Sequence, residues 1–313
     1  MRTLLKNAWL LDHHYDMEPA NVLIDGERIA AVSGSLPTAD REIDLRGYTL
    51  MPGLVDTDLS CADAGELNDR LLAYRDTVVT TARCDAAPGR TEYGFPNVLC
   101  SLPDVNSGAD LDRLFAEKIS VGGIKLGRAL VRSGNEAEIR DICRRSDLRG
   151  MWVTALAETP SELQMLTVCG ITELLNTPEF PISDRSLVRM VTKGIGMTLS
   201  ARTAAHITAV QKDNLRRFDR AGGTIVLASG KGEDPVSCGQ ILTLLDAGVS
   251  LQNAVSSATF SGAVIVGTAQ DEGSIMAGKY ADLIAVRGNP REDPRVLDRA
   301  QCIVRRGTVR QIR

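Results

Sequence analysis

The fold of this chain is decided by a stretch near its start, where residues 44–60 have the sequence DLRGYTLMPGLVDTDLS. The apolar run from Leu50 to Asp56 predicts a buried β-strand. Asp56, Asp58 and Ser60 stand at the end of this run. We therefore expect a strand whose carboxyl end carries two carboxylates and a hydroxyl.

Beyond this strand, to about residue 265, short apolar runs alternate with helical stretches that have recognisable caps. Thr159-Pro160-Ser161-Glu162 is a capping box with proline at the first helical position, and its helix is predicted to end at Gly170. The candidate strands are Leu50–Asp56, Val78–Arg83, Val98–Ser101, Gly123–Leu126, Trp152–Ala157, Glu173–Asn176, Gly196–Ser200 and Thr224–Ala228. Eight βα units predict an α/β fold, a TIM-type (β/α)8 barrel with its active site at the carboxyl ends of the strands. The alternative is a doubly wound open sheet, although no G-x-G-x-x-G turn follows a strand.

Both ends of the chain show the alternation that is typical of β-strands. Asp25-Gly26 separates two such runs and suits a hairpin turn with positive φ. Strands left alone at each end would expose unpaired edges. We therefore predict a small β-sandwich domain formed by residues 1–50 and 268–313, beside a barrel domain of residues 51–267.

The composition argues against several classes of function. The chain has 313 residues and a formal net charge of −4, without a basic stripe interleaved with aromatic residues, so we expect no nucleic-acid partner. No apolar window approaches the roughly 18 residues of a membrane span, so we expect no membrane partner. The seven cysteines are scattered and odd in number, which predicts a reducing, cytoplasmic location.

Several segments resemble the amidohydrolase superfamily. Residues 44–57 are similar to its entry into the first barrel strand, and residues 247–259 to the helix pair after its eighth strand. Residues 273–284 with 287–290 resemble its return to the sandwich, and the imidazolonepropionase-like, prolidase-like branch is the most similar. The resemblance implies one or two divalent metals. Their ligands would be a His-x-His after strand one, a lysine after strand four, a histidine after each of strands five and six, and an aspartate after strand eight.

This chain departs from that ligand pattern. Asp58-Leu59-Ser60 stands where the resemblance implies the histidine pair, whereas Lys125 keeps the position of the lysine. The positions after strands five, six and eight fall at Ala155, Asn176 and Gly230. The usual set of donors is therefore replaced at every position except that of the lysine.

The histidine count leads to the same expectation without any alignment. The implied site needs four histidines, and this chain has three, which are His13, His14 and His206. Zinc-type sites require imidazole or thiolate, while carboxylate and hydroxyl oxygens suit at most a weakly held Mg²⁺. We therefore expect no metal and no other cofactor.

Lys125, Asp58 and His206 are the predicted catalytic residues. A lysine in a barrel mouth loses hydration, which favours the neutral amine and makes it available as a base or nucleophile. Asp58 is a candidate general acid or base, and His206 is the single histidine in the middle of the chain. The alternative for Lys125 is an ion pair with Asp56 or Asp58, and the alternative for His206 is an ordinary place on a helix face.

Arg83, Asn176, Ser60 and Arg202 are the predicted substrate-binding residues. Each lies at or just after the carboxyl end of a candidate strand. A guanidinium such as that of Arg83 can hold a substrate carboxylate through two parallel hydrogen bonds. The alternative for Arg83 is a salt bridge with Asp85 at the mouth of the barrel.

These residues support three hypotheses about function. The favoured hypothesis is a repurposed, metal-free enzyme of the cyclase, isomerase or lyase type, which acts on a small polar molecule by acid/base chemistry. The second is a catalytically inactive scaffold that binds a ligand, and the third is an atypical hydrolase of C–N bonds. The expected partner is a small-molecule ligand or substrate, and self-association into a homo-oligomer is a further expectation because barrels of this kind often form dimers or rings.

Overall fold

A computed structural model describes residues 1–35, 37–61, 63–74, 77–84, 97–100, 104–117, 122–231, 234–293, 295–296 and 299–311 of the chain. Asp85, the alternative partner of Arg83, and Ser101, the end of a predicted strand, lie outside these residues. None of the helices within the described ranges is long and apolar enough to cross a membrane.

Strands from both ends of the chain meet in one mixed, eight-stranded sheet, the terminal sheet. Its strands are β1 (Arg2–Leu11), β2 (Asp16–Asp25), β3 (Arg28–Ser33), β4 (Arg41–Asp44), β5 (Tyr48–Pro52), β15 (Leu283–Arg287), β16 (Ala300–Arg305) and β17 (Thr308–Gln311). Their order is β17-β16-β15-β5-β1-β2-β3, with β4 also paired to β1. The antiparallel pairing of β15 with β5 joins the two ends of the chain.

The predicted hairpin at Asp25-Gly26 is confirmed. β2 pairs antiparallel with β3, and Asp25 lies opposite Arg28 in the register. Gly26 has φ of +58°, a left-handed conformation that glycine adopts without steric cost. The two turn residues are Gly26 and Glu27, because Asp25 is the last residue of β2.

A series of parallel strands follows the first five strands. They are β6 (Leu54–Leu59), β7 (Val79–Cys84), β8 (Asn97–Cys100), β9 (Asp104–Val105), β10 (Gly123–Leu126), β11 (Trp152–Ala155), β12 (Glu173–Leu174), β13 (Gly196–Ser200) and β14 (Ile225–Ala228). One parallel sheet has the order β6-β7-β8, and the other has the order β14-β13-β12-β11-β10-β9. The predicted alternation of strands and helices is thus present in the middle of the chain.

The predicted bounds of the first strand, Leu50–Asp56, are wrong. Pro52 ends β5 in the terminal sheet, and β6 begins a separate parallel sheet at Leu54. A Cβ added to Gly53 would lie 2.1 Å from Cγ2 of Thr80, so the chain can change sheets at this point only with glycine.

Helices connect the parallel strands. They are α1 (Ala64–Tyr74), α2 (Gly108–Ala116), α3 (Arg128–Ser133), α4 (Glu136–Asp147), α5 (Pro160–Cys169), α6 (Asp184–Thr192), α7 (Ala201–Ala205), α8 (Ala209–Arg220), α9 (Cys238–Asp246), α10 (Leu251–Ala258) and α11 (Phe260–Ile265). The predicted ends of α5 are confirmed, because the Thr159 side chain accepts a hydrogen bond from the backbone of Glu162 and Gly170 ends the helix with φ of +98°. The capping box is only half formed, since the Glu162 carboxylate accepts from the N–H of Glu158 at 2.7 Å rather than from that of Thr159. Local sequence therefore determines where this helix begins and ends.

The two parallel sheets adjoin each other through β6 and β14. The backbone N–H of Gly230 donates to the carbonyl of Asp58 at 2.8 Å, and the Thr57 hydroxyl donates to the carbonyl of Leu227 at 3.0 Å. Buried apolar residues of both sheets belong to one cluster, for example Leu54, Ile124 and Leu227. A separate cluster lies in the terminal sheet.

The carboxylate of Asp282 is buried. The backbone carbonyl of the same residue accepts a hydrogen bond from the N–H of Gly53, between β5 and β6, at 3.0 Å. Burial raises the pKa of Asp282 from 3.8 to about 6. Its Oδ1 accepts a hydrogen bond from the backbone N–H of Arg306 at 2.7 Å, whereas its Oδ2 has no hydrogen-bond partner among the described residues and lies 3.6 Å from Nε of Arg306. Because the folded chain then holds this proton more tightly than the unfolded chain, the free energy of unfolding falls as the pH rises through this interval.

We therefore expect Asp282→Asn to raise the free energy of unfolding at neutral pH, by about 3 kcal/mol at most. At about pH 2 the two chains should be nearly equally stable, because Asp282 is then protonated in both the folded and the unfolded chain. Urea unfolding at both pH values measures the difference. Asp293→Asn, at an exposed carboxylate whose pKa is lowered by Arg295, is the matched control. A gain of equal size at both pH values for Asp282→Asn would contradict this explanation.

Candidate active site

Three predicted site residues contact one another at the carboxyl ends of two strands. Asp58 is near the end of β6, Ser60 follows that strand, and Lys125 belongs to β10. Nζ of Lys125 lies 3.8 Å from Oδ2 of Asp58 and donates to Oγ of Ser60 at 3.4 Å. Oγ of Ser60 in turn donates to Oδ1 of Asp58 at 3.0 Å. We call these three residues the mouth cluster.

The mouth cluster is shielded from solvent. Ser60 is 4% exposed, and the side chains of Lys125 and Asp58 are 12% and 9% exposed. In such surroundings an amine, a hydroxyl and a carboxylate interact more strongly than they do in water. The arrangement can therefore move a proton among these groups.

Asp56 stabilises the backbone next to the mouth cluster. Its Oδ1 accepts hydrogen bonds from the backbone N–H groups of Asp58 and Ser229, at 3.2 and 3.0 Å, and its Oδ2 accepts one from the Tyr74 hydroxyl at 2.5 Å. Burial raises the pKa of both Asp56 and Tyr74. The carboxylate thus ties the ends of β6 and β14 together, which agrees with a structural role rather than with an ion pair to Lys125.

Arg70 is a residue of the site that the sequence did not reveal. It extends from α1, and its Nη1 donates to the carbonyls of Ser60 and Gly230 at 2.6 and 3.1 Å. Its Nη2 donates to Oγ of Ser229 at 3.1 Å. Arg70 therefore joins the loop after β6 to the loop after β14. Nothing in the local sequence distinguishes it from the other arginines of the chain.

Arg83 lies fully buried rather than at an exposed mouth. Its Nη2 donates to Oε2 of Glu173 at 2.5 Å, and Oε1 of Glu173 accepts from the Thr198 hydroxyl at 2.7 Å. Both side chains of the ion pair are 0% exposed. Nε and Nη1 of Arg83 have no hydrogen-bond partner within the described ranges. Glu173 is a partner that strand prediction alone does not identify.

Asn176, Arg202 and His206 do not belong to the mouth cluster as the structure describes it. The Asn176 side-chain amide both accepts from and donates to the backbone of Ala157, at 3.1 and 2.9 Å, so it is occupied in holding this loop. Arg202 is exposed on α7, and His206 is exposed at the C-terminal end of the same helix. Their predicted roles stay predictions.

Comparisons with known proteins agree with this architecture. No model of a protein family matches the chain. A dihydroorotase of Methanothermobacter thermautotrophicus is 31% identical over 131 residues, which are 42% of this chain and 26% of that enzyme. A solved Xaa-Pro dipeptidase superposes with a TM-score of 0.82 at 18% identity, and a solved amidohydrolase with a TM-score of 0.82 at 19% identity; both matches cover 100% of each chain.

Part of the chain is similar in sequence to a dihydroorotase, and the whole chain shares the fold of solved amidohydrolases. The sequence match spans only about a quarter of the length of the curated dihydroorotase. The solved amidohydrolase relatives match at low identity and therefore establish the fold alone. What this chain does must be argued from its own residues.

The donors of the mouth cluster differ in kind from a zinc-type set. The mouth cluster offers a carboxylate, a hydroxyl and an amine, Ala155 offers no donor, and Gly230 has no side chain. Among the residues that the structure describes, no group of three or more His, Cys, Asp or Glu side chains could hold a metal ion. Such donors do not fit a binuclear zinc-type centre.

Proposed function

We propose that this chain is a metal-independent hydrolase that cleaves a C–N bond of a small polar molecule at the mouth cluster. The observation that carries the proposal is the direct contact of Lys125 with Asp58 and Ser60, at the positions where the family resemblance implies metal ligands. The amine of Lys125, beside the carboxylate and the hydroxyl, would take over the activation of the attacking group that a metal otherwise provides. The chemistry then depends on proton transfer by side chains.

We further propose that the two parallel sheets form one closed, eight-stranded barrel, with β8 and β9 as two parts of its third strand, and that the terminal sheet folds as a sandwich. In an open sheet, five steps of about 4.8 Å would separate β10 from β6 by about 24 Å. Yet Lys125 of β10 contacts Asp58 of β6, and Arg83 of β7 contacts Glu173 of β12. Such contacts are expected across the interior of a barrel.

Hydrolysis is preferred over a cyclase, isomerase or lyase reaction because of the relatives. The solved structures include a dipeptidase, and such an enzyme by its name cleaves a peptide bond. Lys125 and Asp58 would serve an isomerase equally well, so the geometry of the mouth cluster does not separate these reactions. The relatives therefore favour the hydrolytic alternative on this fold.

An assay of small amides tests this proposal. The chain, treated with a chelator and dialysed, is incubated with dihydroorotate, Xaa-Pro dipeptides and N-acyl amino acids, and the released amine or opened ring is followed by chromatography and mass spectrometry. We expect turnover of at least one compound, at a rate that added Zn²⁺ or Mn²⁺ does not raise. Turnover that appears only after metal is added, or no turnover of any compound, would contradict the proposal.

A further inference from the structure

We propose that Ser60 is a catalytic nucleophile and that Lys125 is its general base. This inference rests on the proposed function and gives it a mechanism. It assigns a covalent step to the residue that stands at the second position of the replaced His-x-His pair. An activated nucleophile would then perform the attack that an activated water performs in a metal-dependent hydrolase.

The geometry of the mouth cluster has the parts that such a pair requires. A nucleophile and its base must lie within hydrogen-bond reach, and the base must be oriented by a third group. Oγ of Ser60 and Nζ of Lys125 are 3.4 Å apart, and Asp58 contacts both, at 3.0 Å from Oγ and 3.8 Å from Nζ. Distances of this kind are often longer before substrate binds. Serine–lysine pairs are known to perform acyl transfer on other folds.

The backbone around Ser60 is fixed more firmly than that of an ordinary loop residue. Arg70 donates to its carbonyl at 2.6 Å, and the carbonyl of Asp58 accepts from the N–H of Gly230 at 2.8 Å. The second contact joins β6 to the loop after β14, and Arg70 reaches the same loop by donating to the carbonyl of Gly230 at 3.1 Å. A nucleophile that is held in place loses less entropy on reaching the transition state. Arg70 is thus a positioning residue for Ser60.

The proposed reaction balances without a further reagent. When Lys125 is neutral, it accepts the proton of Ser60 while Oγ forms a bond to the carbonyl carbon of the amide. The C–N bond breaks as Lys125 returns that proton to the leaving nitrogen, which leaves an ester on Ser60 and a free amine. A water molecule then attacks the ester carbon while Lys125 accepts its proton. The bond between that carbon and Oγ breaks, Lys125 returns the proton to Oγ, and the acid is released.

A fluorophosphonate probe tests the proposal without any knowledge of the substrate. Its phosphorus bonds to an activated serine oxygen and fluoride leaves, so that labelling reports the nucleophile directly. We expect close to one label per chain, on the peptide that contains Ser60. A label on another residue, or no label, would overturn the proposal, and the position of the label in the unaltered chain decides this even if a variant folds poorly.

Variants test whether Lys125 acts as a general base or has only a structural role. Lys125→Arg keeps the positive charge beside Asp58 but cannot accept a proton, and we expect it to slow labelling by about a hundredfold or more. Labelling of Lys125→Arg at the unaltered rate would overturn the role of Lys125. Ser60→Ala should abolish the label. Ser35→Ala, at an exposed serine that follows β3, should leave it unchanged.

The two proposals fail in different ways. If Ser60→Ala still hydrolyses an amide at the unaltered rate, the nucleophile is wrong and the hydrolase proposal stands. If Ser60 is labelled but no amide is turned over, the nucleophile stands and the choice of amide hydrolysis is wrong.

Discussion

Glu173→Leu is expected to lower the free energy of unfolding by about 3–5 kcal/mol. The variant leaves the guanidinium of Arg83 buried at 0% exposure without its carboxylate partner, and a buried charge without a partner is strongly unfavourable. Two nitrogens of Arg83 already have no hydrogen-bond partner among the described residues, which leaves Glu173 as the main compensation for this charge. Urea unfolding followed by circular dichroism measures the loss.

The double variant Arg83→Met/Glu173→Leu tests whether the loss comes from the unpaired charge. An apolar pair of similar volume removes both charges, and we expect it to recover most of the stability that the single variant loses. Glu42→Leu, which removes the carboxylate from an exposed pair with Lys6, should change stability little. A double variant as unstable as Glu173→Leu would show that shape rather than charge makes Glu173 important.

Lys125→Met is expected to lower the rate of substrate turnover by about 10²–10⁴-fold, the range typical of the loss of a general acid or base. Methionine has a similar length but neither accepts a proton nor pairs with Asp58. The rate is measured with whichever amide the chain hydrolyses. Because methionine has a similar volume and leaves no buried charge at position 125, the fold should persist, which circular dichroism checks.

Lys212→Met provides the matched control for this variant. Lys212 forms a partly exposed ion pair with Asp246, on α8 and α9. Its loss removes one ammonium from the chain and should leave turnover unchanged. Equal losses in the two variants would point to a general effect of charge and would remove Lys125 from the mechanism.

The sequence predicts those features of this fold that depend on neighbouring residues. The hairpin after β2 and the two ends of α5 are local, and both are confirmed. The contact of Lys125 with Asp58 was also anticipated as one alternative, because the ends of parallel strands lie at one face. The bounds of the first strand were missed because Gly53, at the change of sheet, depends on the approach of Thr80.

Contacts across the interior could not be predicted in this way. Glu173 and Arg83 are 90 residues apart in the chain, and the sequence around either residue does not identify the other as its partner. The mouth position expected for Arg83 assumed a partner close in sequence, whereas the long side chain reaches a carboxylate of β12. Arg70 was missed for the same reason, since its three acceptors belong to loops after β6 and β14. Such pairs depend on strand order, which composition and periodicity leave open.

The central claim is that side chains take the place of metal ions at the mouth cluster. Its most direct test is metal analysis by inductively coupled plasma mass spectrometry of the chain purified without a chelator, beside the Lys125→Ala variant. We predict zinc, manganese, iron and nickel far below one atom per chain in both proteins. Nearly stoichiometric metal that falls in Lys125→Ala would contradict the claim and would restore metal-dependent hydrolysis as the chemistry of this site.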